Sequence, residues 1–188
     1  MTDVSREIAE LRIRLQRLED ERDIARLIAS YGPAVDSADA DTAAGLWAED
    51  GSYDVEGWRM NSSADVQAMV ASAAHRQLVD TGCCHFLGPA VVTVSGESAV
   101  AVCESLVLLR RSEPLPHSDF DLQAWDSSAQ EYMIWRASAN HFELERGTGG
   151  WRISRRTSGM LAGREAALRL LRSGVRGVRL VDAQKEGS

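Results

Sequence analysis

Apolar residues in the first part of the chain recur at spacings of three and four. Ile8, Leu11, Leu15 and Leu18 form one run, and Ile24, Leu27, Ile28 and Tyr31 resume the pattern after a slip. This period predicts a long amphipathic N-terminal helix whose stripe must dock on something. Two heptads are too few for a stable free coiled coil, so the stripe is expected to pack on the domain or on a second subunit. Gly32-Pro33 predicts a kink or an end, because Pro removes a backbone donor and crowds the preceding turn. "DSADADTAAGLWAEDG" then offers Asp39 or Asp41 as an N-cap, a short helix through Trp47 and a stop at Gly51. "SYDVEG" reads as a short strand. A Ser cap followed by Val66, Met69, Val70 and Ala73 at helical spacing predicts a third helix over about 63–79.

From there the period changes to two. "CHFLGPAVVTV" and "SAVAVCESLVLLRR" read as β-branched strands joined by an "SGES" hairpin turn. The polar "SEPLPHSDFDLQAWDSS", with two prolines, reads as a long loop or flap over 112–128. "EYMIWRASANHFELER" and "WRISRRTSGML" form a second hairpin around a Gly-rich turn at 147–150. A closing helix over 162–173 and a frayed polar tail over 174–188 complete one domain spanning 1–188. Helices first and long antiparallel strands afterwards is the order of an α+β domain, in which helices cover one face of a curved sheet that wraps a cavity.

Composition narrows the function. With 188 residues, 44% hydrophobic and 26% charged, the chain is of soluble globular type, and no apolar run is long enough to span a bilayer. The N-terminus lacks the apolar core of a signal peptide, so a cytoplasmic location is expected. A net charge of −7 argues against a nucleic-acid partner. Arg152, Arg155 and Arg156 of "WRISRR" are expected to serve solvent or a neighbouring carboxylate.

"TGCCHFLGPAVVTV" places His85 beside Cys83 and Cys84, which raises three readings: metal ligand, packed core side chain or active-site base. Adjacent cysteines diverge on a strand, whereas zinc sites space them by two to four residues, so no metal is expected. Small apolar packing better accounts for Cys83, Cys84 and Cys103. Neither a Gly-rich phosphate loop nor a "GxSxG" occurs, and no cofactor is expected. His75 and His117 are expected to be solvated, while Asp36 and Tyr31, flanking the Gly32-Pro33 break, are placed to face the sheet. One of Asn140 and His141 must face inward, and parity leaves open which. Glu104 sits either in an apolar setting or at a solvated rim. Trp47, Trp58, Phe86, Met133, Trp135 and Asn140 are candidate pocket residues for a flat hydrophobic ligand.

"LEDERDIARLIASYGPAVDSADADTAAGLWAEDGSYDVEG", then "HFLGPAVVTVSGESAVAVCES" and "HFELERGTGGWRISRRTSGML", resembles the SnoaL-like domains of the nuclear transport factor 2-like superfamily over about residues 8–165. The resemblance implies a cone-shaped, strongly curved antiparallel sheet covered by N-terminal helices and enclosing a pocket. Tyr31, Asp36 and His85 are similar to the pattern of scytalone dehydratase, the bile-acid dehydratase and the lindane dehydrochlorinase. It implies His85 as general base, Asp36 as the carboxylate that holds its ring, and Tyr31 as a hydrogen-bond donor to a substrate oxygen. Where the bile-acid dehydratase has a further carboxylate and an arginine, this chain has Val107 and Met160; Asn140, Glu104 or Arg155 are candidate substitutes.

The leading expectation is a cofactor-independent lyase or isomerase acting on a small cyclic, mostly apolar substrate. The alternative is a non-catalytic ligand-binding or assembly domain, similar to the β subunits of ring-hydroxylating dioxygenases. A water-activating hydrolase of the limonene epoxide hydrolase kind is third, disfavoured because strands 98–111 and 130–146 contain no Asp. A homodimer or homotrimer is expected, since the open face of such a sheet and the leucine stripe both need a cover.

Overall fold

The computed structural model describes residues 3–110 and 132–180. The expected flap over 112–128, including His117, lies outside the described residues. Helix α1 spans Asp3–Asp36, and its docked part begins at buried Asp20 and continues through Ile24, Ile28, Tyr31 and Val35. Asp20 accepts a hydrogen bond from the Trp151 indole (3.3 Å) and pairs with Arg146, whose guanidinium lies 4.5 Å from the Trp151 ring centre. The helix does not end at Gly32-Pro33. Pro33 sits on its exposed side, where its ring meets solvent, and the chain stays helical to Asp36. Gly32 matters for another reason. A Cβ there would collide with the His85 carbonyl oxygen, so glycine lets α1 lie directly on the strand that carries His85.

Asp39 caps α2, Ala40–Ala44, by accepting the Thr42 N–H at 3.0 Å. The helix ends there rather than at Gly51. Trp47 instead opens strand β1, Trp47–Val55, which contains Gly51 at a register shift. Strand β2, Trp58–Met60, returns along β1 through Glu56 and Gly57, both at positive φ, a hairpin that the sequence pattern does not predict. The third expected helix is two: α3, Ser63–Ala71, and α4, Ala73–Asp80. Ser72 leaves the helical region and its hydroxyl accepts the His75 N–H at 3.1 Å, so a new helix starts where one continuous helix was expected.

Strands β3, Cys83–Leu87, and β4, Val91–Ser95, replace one expected strand, and Gly88 to Ala90 separate them. Both pair antiparallel with β5, Ser98–Arg110, β3 along Ser105–Leu109 and β4 along Ser98–Val102. β5 pairs with β6, Tyr132–Gly147, and β6 with β7, Gly150–Met160, both antiparallel. The sheet order is β2-β1-β7-β6-β5-β3, with β1 running parallel to β7. Register shifts in β1, between β5 and β6, and between β6 and β7 bend it. The result is a mixed helix and strand architecture around a curved sheet. Its main core packs α1, α2 and α3 on one face, and α5, Glu165–Val175, covers the other through Ala139, Ala167 and Leu170.

The tail is not wholly frayed. Residues 176–180 dock on the sheet, where Arg179 donates to Glu143 at 2.8 Å and the Leu180 N–H donates to the same carboxylate at 3.1 Å. Residues 181–188 lie outside the described set. Among the described residues, no helix is long and apolar enough to cross a membrane.

Candidate active site

The last turn of α1 and strand β3 meet where Gly32 permits close approach, and there Asp36 grips His85 twice. Its Oδ2 accepts the His85 backbone N–H at 2.7 Å, and its Oδ1 lies 2.6 Å from His85 Nδ1. A carboxylate only accepts, so Nδ1 carries a proton, and in the neutral ring the lone pair is on Nε2. Among the described residues Nε2 has no hydrogen-bond partner. Cys83 Sγ lies 3.6 Å from Nδ1, and burial, then the Asp36 charge, pushes its thiol up to about 11.

Asp36, Cys83 and His85 present ligand-type atoms within 4.8 Å of one another. A metal would need the thiolate and a bare Nδ1, whereas the thiol is held protonated and Nδ1 donates to a carboxylate. The chemistry of this donor set suits a hydrogen-bonded pair better than an ion.

His85 opens onto a cavity of about 290 Å³. Leu78, Leu87, Leu106 and Val107 form apolar wall, and Trp58 and Trp135, both half-exposed, stand at its mouth. Asn140 is the inward member of its pair and lines the cavity; His141 lies on the opposite face, where Nε2 donates to the Val178 carbonyl at 3.0 Å. Tyr31 lines the cavity with its ring edge-on to His85, at a centroid distance of 6.2 Å. Burial and the neighbouring Tyr53 hold its phenol well above the usual range, so it stays a donor.

Three proposed pocket residues are elsewhere. Trp47 is a core ring packed on Tyr31 and Tyr53. Phe86 points away from His85 on the alternate face of β3 and is 56% exposed, and Met133 is 45% exposed outside the cavity. Of the suggested substitutes, Glu104 is exposed on β5 and Arg155 faces Glu143 on the other side of the sheet, which leaves Asn140. A larger groove of about 630 Å³ runs between β1, β7 and α5, but holds neither His85 nor Asp36.

Two cavity residues escape the sequence pattern. His75, expected in solvent, is buried; its Nε2 donates to the Val35 carbonyl at 2.8 Å and its ring centre lies 6.3 Å from that of His85. Arg156, expected to serve solvent or a neighbouring carboxylate, is 3% exposed. Its Nε and Nη2 donate to Asn140 Oδ1 at 3.2 and 2.8 Å, and Asn140 Nδ2 donates to Ser105 Oγ at 2.8 Å. The guanidinium lies 4.1 Å from the Tyr31 ring centre and 4.4 Å from that of Tyr53. It has no carboxylate partner among the described residues, and Nη1 is buried without a hydrogen bond. Period-two counting from Trp151 and Ile153 points Arg155 inward. Ile153 pairs with Leu144 and Arg155 with Glu143, so Ser154 is an extra residue that reverses the parity and turns Arg156 inward.

The SnoaL-like domain family matches residues 16–157. The chain belongs to that family. In structure, this SnoaL-like domain is similar to a nuclear transport factor 2-like protein with a cystatin-like fold from Novosphingobium aromaticivorans, at 39% identity and a TM-score of 0.74, covering 87% of this chain and 96% of that one. A protein of unknown function from Mycobacterium tuberculosis shares the fold at 20% identity and a TM-score of 0.59, covering 90% and 92%. So does the β subunit of a putative aromatic-ring-hydroxylating dioxygenase from Novosphingobium aromaticivorans, at 20% and 0.58, covering 82% and 96%. No curated protein matches the chain.

Proposed function

We propose that this SnoaL-like domain is a cofactor-independent lyase or isomerase for a small cyclic, mostly apolar substrate bearing a carbonyl. The observation that carries this reading is the Asp36–His85 contact at 2.6 Å, which leaves a lone pair on Nε2 at an apolar cavity. Nε2 takes a proton from the carbon beside the carbonyl, and the C–H electron pair moves into an enolate. Asp36 stabilises the imidazolium so formed. Tyr31, which lines the cavity beside His85, is the donor for the enolate oxygen, and the buried Arg156 guanidinium, fixed by Asn140, adds its positive charge to the same wall. The enolate then expels a β-hydroxyl, which leaves as water with a returned proton, or takes the proton back at another carbon with a shifted double bond. An assembly domain has no need of a carboxylate-held histidine in one cavity with an arginine that has no carboxylate partner among the described residues.

The test is a spectrophotometric screen of cyclic β-hydroxy ketones and unconjugated enones for appearance of the conjugated product. Turnover by the wild type that drops about 10²-fold or more in His85→Ala supports the proposal. Equal turnover by both proteins removes His85 from the chemistry.

A further inference from the structure

Residues 3–18 of α1 are all exposed, so about 24 Å of helix stands clear of its own domain. That overhang is not polar. Val4, Ile8, Leu11, Leu15 and Leu18 form a seam at spacings of four, three, four and three, and each is between 46% and 63% exposed. In heptad terms Ile8 and Leu15 occupy a and Val4, Leu11 and Leu18 occupy d, while Ile13 falls outside the seam at f. Arg22 at the next a position ends it.

The seam faces away from the body. At 3.6 residues per turn it points about 150° from the stripe of Ile24, Ile28, Tyr31 and Val35 that enters the core. The slip in the apolar pattern is therefore a change of face. Beyond Asp20 the helix packs on its own sheet; before it, the apolar face is presented outward.

The flanking charges say what covers it. The g positions are Glu7 and Arg14, and the e positions five residues on are Arg12 and Glu19. In a parallel, in-register pair, g of one helix meets the following e of the other, so Glu7 meets Arg12 and Arg14 meets Glu19, on both sides of the seam. Of the antiparallel registers, the one that sets Leu11 on Leu15 brings Arg12 near Arg12 and Arg14 near Arg14, and the one that sets Ile8 on Leu11 pairs Glu7 with Arg14 but gives neither Arg12 nor Glu19 an opposite charge. Within one chain, the neighbours Arg6, Arg17 and Arg22 are already paired with Asp3, Glu21 and Asp23. Glu7, Arg12, Arg14 and Glu19 have no ion pair among the described residues.

We infer that residues 4–19 form a parallel, in-register two-stranded coiled coil with a second copy of this chain. The seam is short, so the association is concentration-dependent and dissociates on dilution.

The test is sedimentation of the full chain over a dilution series, with three variants. The wild type is expected to reach about twice 20.5 kDa at high concentration, and Leu11→Glu with Leu15→Glu is expected to halve that mass without loss of helical signal from the folded domain. Arg12→Glu weakens the pair, and adding Glu7→Arg restores it. Leu11→Cys, oxidised, gives a cross-linked pair that the wild type does not. A monomeric wild type, a mass indifferent to the seam variant, or a Leu11→Cys chain that does not cross-link overturns the inference.

Discussion

The role proposed for His85 as a base rests on what Asp36 does to its ring. Asp36→Asn keeps an oxygen for the backbone N–H, but the amide nitrogen then faces Nδ1 and can only donate to it. The other tautomer results, with Nε2 protonated and its lone pair lost. Activity is expected to fall about 10²-fold or more while the melting temperature changes little, checked by kinetics alongside thermal unfolding. Arg156→Met removes both donors to the buried Asn140 Oδ1 and the cation over the Tyr31 and Tyr53 rings, so turnover and melting temperature are expected to fall together, checked by kinetics beside thermal unfolding. An unchanged melting temperature contradicts this account of the Arg156–Asn140 contact. Burial pushes the Cys83 and Cys103 thiols each up to about 11, so alkylation of these two by iodoacetamide at pH 8, read by peptide mass mapping, is expected to run far slower than for free cysteine.

Among the elements, the contact of α1 with β3 sets the site. Gly32→Ala drives a methyl group into the His85 carbonyl, and only a shift of helix or strand relieves it. Such overpacking costs about 1–3 kcal/mol and displaces Asp36 from His85, so the variant is expected to unfold at lower denaturant and to lose activity together. What the sequence revealed of this region follows from period and chemistry. The helical stripe, the strand after His85, the Asp39 cap and the hairpins at residues 96 and 147–150 are local signals. What it hid is non-local. Pro33 is tolerated because it faces solvent, Ser72 starts a new helix and so turns His75 inward, and a single extra residue at Ser154 exchanges the roles of Arg155 and Arg156. Tryptophans at 47, 58 and 135 look alike in sequence, yet one is core and two stand at the cavity mouth.

At the scale of the whole molecule, the curved sheet separates two environments. Asn140 belongs to the cavity side and His141 to the side beneath the tail. Burial lowers the His141 pKa from 6.5, against the Val178 carbonyl and the Glu143 charge that favour the cation. Below 6.5 the unfolded chain therefore binds the proton more readily than the folded one, and stability is lost as pH falls through that value. Denaturant unfolding at pH 7.5 and 5.5 is expected to show a larger loss for the wild type than for His141→Gln; equal losses remove His141 as a cause. The same sheet lets the family scaffold carry a cavity whose chemistry depends on a few inward side chains rather than on the fold.

The most direct measurement is wash-in of deuterium from D₂O into a cyclic ketone held in the cavity, followed by NMR. It reads proton transfer alone, before any leaving group departs. The account predicts exchange at the carbon beside the carbonyl by the wild type, strongly reduced in both Asp36→Asn and His85→Ala. Exchange that persists in His85→Ala at the wild-type rate contradicts it.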